Sequence, residues 1–94
     1  MQKTQESAET LGLQVLGWLV GNDDLMSVFL GSTGISEADI RARATDPLFL
    51  GAVLDFLMMD DAWVIRFCDE HTIAYDRIMQ ARAALPGGEQ VNWT

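Results

Sequence analysis

The sequence predicts an all-α protein: a compact bundle of about six short helices, built from a three-helix unit used twice, over residues 11–44 and 49–82. Three observations carry that prediction. Helix-capping residues and glycine or proline breaks recur at short intervals, apolar residues follow three- and four-residue spacing without the sustained alternation of a strand, and the chain matches itself after a shift of 38 residues.

The first helix, at about 5–21, gathers Ala8, Leu11, Val15, Trp18 and Leu19 on one side, with Leu16 and Val20 widening the apolar stripe. Gly21 and Asn22 end it. Asn22 then stands where its side-chain oxygen can cap a second helix, with Asp23 and Asp24 at the positive end of the dipole and Leu25, Val28 and Phe29 as the inner face. Gly34 suits the left-handed residue that closes this helix, and Ser36 with Asp39 has the spacing of a capping box for a third helix at about 37–44.

Asp46-Pro47 is the sharpest boundary, a carboxylate N-cap followed by a proline at the first helical position, where a missing amide hydrogen costs nothing. The fourth helix, LFLGAVLDFLMM, is apolar on nearly every side and should be surrounded by its neighbours. Asp60 opens the fifth, about 61–71, with Val64, Phe67, Cys68 and His71 on one face. The sixth, about 73–85, stops at Leu85-Pro86-Gly87-Gly88. A single domain over 1–94, with a loose N-terminus at 1–5 and a loose tail at 87–94, is the resulting organisation.

In the internal match, VLGWLVGND at 15–23 lies over VLDFLMMDD at 53–61, and Trp18 falls on Phe56. Further along, Phe29 meets Phe67, Ile35 meets Ile73 and Ile40 meets Ile78, seven identities in the 34 aligned positions. Two copies are too few for an open solenoid, so a closed bundle follows.

Composition narrows the function. Net charge is −8, with 49% hydrophobic and 21% charged residues, which describes an ordered globular chain that repels phosphate backbones and anionic lipid. The single cysteine, Cys68, cannot form an internal disulfide, and a reducing, cytoplasmic setting fits it. Neither apolar run, 11–21 or 47–59, is long and uncharged enough to span a bilayer, and the acidic residues before the first argue against a secretory signal.

Asp55, set among apolar residues, would need an arginine partner or a raised pKa if buried, and Arg41, Arg43, Arg66, Arg77 and Arg82 are the candidates. The commoner case is a carboxylate on the exposed strip of a largely buried helix. Cys68 and His71 share a helix face, but two ligands do not make a metal site, and a buried cysteine with a histidine at a helix end explains both. Residues 29–44 have the Gly34, Ile35, Ile40 spacing of a helix-turn-helix, yet Glu37 and Asp39 would face phosphates. No phosphate-binding glycine loop and no nucleophile motif is present in the sequence.

The run IRARATDPLFLGAVLDFLMMDDAWVIRFC, residues 40–68, and the closing ARAALPGG at 81–88 resemble a family of short alphaproteobacterial proteins, a domain of unknown function. The resemblance implies a small cytoplasmic helical protein and brings no activity, ligand or active site.

Elimination leaves a non-enzymatic helical module that binds a protein partner, a basic one on charge grounds, or itself. Met26, Met59, Trp63 and Tyr75, near helix ends where burial is hard to complete, together with Asp55, are the expected surface. Helix-turn-helix-like binding of nucleic acid through residues 25–44 is the alternative, and neither cofactor nor membrane is expected.

Overall fold

The computed structural model describes residues 2–86, with side chains from residue 5 onward. Six helices follow in order: α1 (Gln2–Val20), α2 (Asp23–Thr33), α3 (Glu37–Arg43), α4 (Pro47–Leu57), α5 (Asp61–His71) and α6 (Tyr75–Ala84). No strand occurs among the described residues. The helix α1 begins at Gln2, so the stretch expected to be loose at 1–5 is largely helical; the tail at 87–94 lies outside the described residues.

Local signals set most boundaries. Ser36 accepts from the Asp39 amide while the Asp39 carboxylate accepts from the Ser36 amide, which makes the capping box reciprocal. Asp46 and Asp60 cap α4 and α5 through Leu48 N–H and Ala62 N–H. Gly34, at φ 72°, closes α2 in the left-handed conformation, and Thr72, at φ 55°, closes α5 in the same way without the freedom of a glycine.

Asn22 does not cap α2. Its carboxamide is committed elsewhere: Nδ2 donates to the Trp18 carbonyl at 2.7 Å and Oδ1 accepts from Arg66 at 2.8 Å. The sixth helix starts at Tyr75 rather than 73, because Ile73 and Ala74 lie in the link after the left-handed Thr72.

One core joins all six helices. Its centre is α4, whose Phe49, Leu50, Val53, Leu54, Phe56 and Leu57 are all buried, as a helix apolar on nearly every side requires. Extensive packing joins α1 to α4 and α6, and α6 also rests on α4 and α5; α3 is pinned mainly by Ile40 and makes no extensive contact with another helix. Val20 and Val28, expected on inner faces, are instead exposed, and Met26 takes the inner position on α2. The radius of gyration, 12.5 Å, is that of a tightly packed chain of this length.

The starts of two helix pairs lie 38 residues apart, Asp23 and Asp61 opening α2 and α5 and Glu37 and Tyr75 opening α3 and α6, as do the left-handed caps Gly34 and Thr72, whereas α1 and α4 start at Gln2 and Pro47. The aromatic core is reciprocal under the same shift. Trp18 of α1 meets Phe67 of α5 edge-on at 5.6 Å, and Phe56 of α4 meets Phe29 of α2 edge-on at 5.1 Å.

Candidate functional site

Asp55 lies on the exposed strip of α4, with its side chain 53% exposed, and of the five candidate arginines it pairs with Arg82 of α6, Nε to Oδ1 2.6 Å. Arg82 is only 12% exposed and also donates from Nη1 to the Pro86 carbonyl. The guanidinium occupies space that Gly51 leaves open, since a Cβ there would stand 2.8 Å from Nη1. Gly51, Asp55 and Met58 thus form one stripe along α4, and Arg82 and Met79 answer it along α6. The ion pair closes one end of this seam.

At the other end the seam opens into an apolar groove of about 260 Å³, lined by Met58, Asp61, Val64, Tyr75, Ile78 and Met79. Past Tyr75 it continues as a shallower depression over Cys68, Thr72, Ile73 and Ala74, with Asp69 at its edge. Tyr75 stands between the two compartments, its hydroxyl donating to Asp69 Oδ1 at 2.9 Å. That hydrogen bond, first among its causes, pushes the phenol pKa up. Asp61 and Asp69 are the charged residues among those lining the groove, so its rim is acidic.

Cys68, at the floor of the second compartment, is buried, and that burial, with Asp69 adding to it, pushes its thiol pKa up. The thiol is therefore held toward its protonated, less nucleophilic form. The His71 ring stacks on Phe67 at 4.3 Å with Nδ1 3.0 Å from the Phe67 carbonyl, so it serves the end of α5 rather than Cys68. Among the described residues no cluster of three histidine, cysteine or acidic side chains could hold a metal ion.

Of the five residues expected to form an interface, Met59 and Tyr75 are exposed at the groove end of the molecule, on the α4–α5 turn and the first turn of α6. Met26 is buried inside α2 and cannot contribute, because it replaces Val28 on the core side of that helix. Trp63 is half-buried and stacks on Phe56 at 4.8 Å, completing the core. Asp55 belongs to the closed end of the seam. Met58 and Met79 were missed; a signal existed in the 38-residue match, where they replace Val20 and Arg41.

Two other features are structural. Trp18 donates its indole N–H to Glu70 at 2.9 Å and lies under Arg66, which ties the end of α1 to α5. A shallow trough between α1 and α6, with Ser7, Thr10, Gln14, Arg77 and Gln80 along it, presents exposed side chains over buried Ala8 and Leu11, and fixes no converging polar atoms. For the alternative reading through residues 25–44, Arg82 would have to join Arg41 and Arg43 on a basic face, and Asp55 already holds it.

A family model described as "Protein of unknown function (DUF3572)" matches residues 5–88. The chain belongs to that family. No curated protein and no solved structure matches it. Among the described residues no helix is long and apolar enough to cross a membrane.

Proposed function

We propose that this DUF3572 protein is a duplicated helical unit whose second copy has become a docking surface, and that the groove at α4, α5 and α6 receives a basic amphipathic segment of a partner protein. The observation that carries this reading is the apolar groove, with Met58 and Met79 in its lining and an acidic rim. Methionine side chains are flexible and polarisable, so a surface made of them accepts apolar residues of varied shape. Asp61 and Asp69 supply charge complementarity to lysine or arginine flanking those residues. The same acidic rim, on a chain of net charge −8, disfavours a second copy as occupant.

The reading is tested by isothermal titration with an amphipathic leucine–lysine peptide of about four helical turns, against a leucine–glutamate peptide of the same pattern. The lysine peptide is expected to bind and the glutamate peptide to fail. Met79→Glu should weaken binding although it adds a negative charge, whereas Leu48→Glu, remote at the start of α4, should leave it intact or slightly stronger. Equal effects of the two variants would mean that charge alone attracts the peptide, and would defeat the groove as the docking site. A concentration-dependent dimer lost on Met79→Glu would replace the partner with a second copy.

A further inference from the structure

Sulfur is distributed unevenly in this molecule. The chain has five methionines. Met58 and Met79, 36% and 59% exposed, line the groove, and Met59, 71% exposed, follows Met58 on the α4–α5 turn, while Met26 is 8% exposed in the core. At the positions 38 residues earlier stand Val20, Gly21 and Arg41, none of which carries sulfur. The groove is thus the one place among the described residues where thioethers are both concentrated and open to solvent.

We propose that Met58, Met59 and Met79 are an oxidative modification site, and that conversion to methionine sulfoxide by a peroxide switches docking off. This rests on the docking reading above. Hydrogen peroxide transfers one oxygen atom to the sulfur: the O–O bond breaks, an S–O bond forms, sulfur is oxidised by two electrons, and the remaining peroxide oxygen leaves as water. The product is a polar, chiral side chain with a strong hydrogen-bond acceptor where an apolar partner residue would sit. Burying that oxygen against leucine without a donor is unfavourable, so the groove loses its ligand while the core stays intact. Thiol-dependent sulfoxide reduction would restore the site. Cys68 does not compete for the oxidant, because it is buried and its thiol is held protonated.

The experiment treats the full chain with graded hydrogen peroxide, maps oxygen addition by peptide mass spectrometry, follows the fold by circular dichroism and titrates the leucine–lysine peptide. Expected are oxidation of Met58, Met59 and Met79 ahead of Met26, an unchanged helical spectrum, and affinity lower by roughly tenfold or more, equivalent to about 1.4 kcal/mol. The variant Met58→Leu/Met59→Leu/Met79→Leu lacks the three sulfurs, and its affinity, whatever its value before treatment, should not change after peroxide. Undiminished binding by the oxidised native chain overturns the switch and leaves the docking reading standing. Failure of the untreated protein to bind overturns the docking reading and the switch with it. Loss of binding in the triple-leucine variant after peroxide, or oxidation of Met26 first, places the effect elsewhere and also overturns the proposal.

Discussion

Where α1–α3 has Val20, Gly21, Glu37 and Arg41 at its outer corner, α4–α6 has Met58, Met59, Tyr75 and Met79 at the corresponding positions. Inside, the same comparison finds agreement: Val15 with Val53, Leu19 with Leu57, Phe29 with Phe67 and Ile40 with Ile78 are buried on both sides. Interior positions resist change because close packing penalises any alteration of volume, whereas surface positions are free to acquire new chemistry. The comparison therefore separates a shared interior from a divergent surface within one chain. It also has a limit, for α6 packs broadly on α1 and α4 while α3 makes no extensive contact.

The largest effects test the shared interior. Phe67→Ala and Phe29→Ala should each cost about 3–5 kcal/mol in chemical denaturation, a large part of the stability of so small a domain. Similar values would sharpen the equivalence of the halves; a Phe29→Ala cost near zero would break it.

Next come the third helices, where the halves diverge. Ile78→Ala should fall toward the top of the roughly 2–5 kcal/mol range for such truncations and Ile40→Ala toward the bottom, since α3 can shift to fill the space and α6 cannot. Equal costs would show that α3 is held as firmly as α6.

A glycine pair gives opposite signs. Gly51→Ala should destabilise by about 1–3 kcal/mol, because its methyl group displaces a guanidinium already held by Asp55 and Pro86. Gly17, which aligns with Asp55, has nothing within 4 Å of an added Cβ, and Gly17→Ala should stabilise by about 0.5–1 kcal/mol through helix propensity alone. Thermal melts of both variants check the signs.

The smallest effect is alkaline. The folded-state pKa of Cys68 is raised by burial, so its contribution is fully present below the ordinary thiol pKa and is lost as pH rises through the higher folded value. Denaturation midpoints of the native chain should fall across that alkaline window more steeply than those of Cys68→Ala. Leu30, its counterpart in the first half, titrates nothing, and Leu30→Ala should lower stability without changing the slope.

Most of the helical framework was legible in the sequence: Asp46-Pro47, the Ser36 box, Asp60 and Gly34 all act as read. Asn22 shows where such reading fails. Its type and position suit an N-cap, and only the approach of Arg66 from α5 diverts its oxygen. Exposure of the expected interface residues was legible in part. Met59 and Tyr75 lie at helix ends, whose exposure follows from chain direction, but whether Met26 or Val28 turns inward on α2 depends on the angle at which that helix meets the core.

The sequence by itself determined most helix boundaries, at Gly34, Ser36, Asp46-Pro47 and Asp60, because such caps, proline and left-handed closures act within a few residues and need no partner from afar. It also determined most of the large apolar residues inside, through helical periodicity, with Val20, Val28 and Met26 as the exceptions. Only the tertiary structure decided that Asp55 belongs to Arg82 rather than to four other arginines, that α6 closes the bundle while α3 stays at its edge, and that Met58 and Met79 meet in one groove. Those outcomes depend on how helices distant in sequence cross, and crossing geometry is set by the packing of the whole core at once.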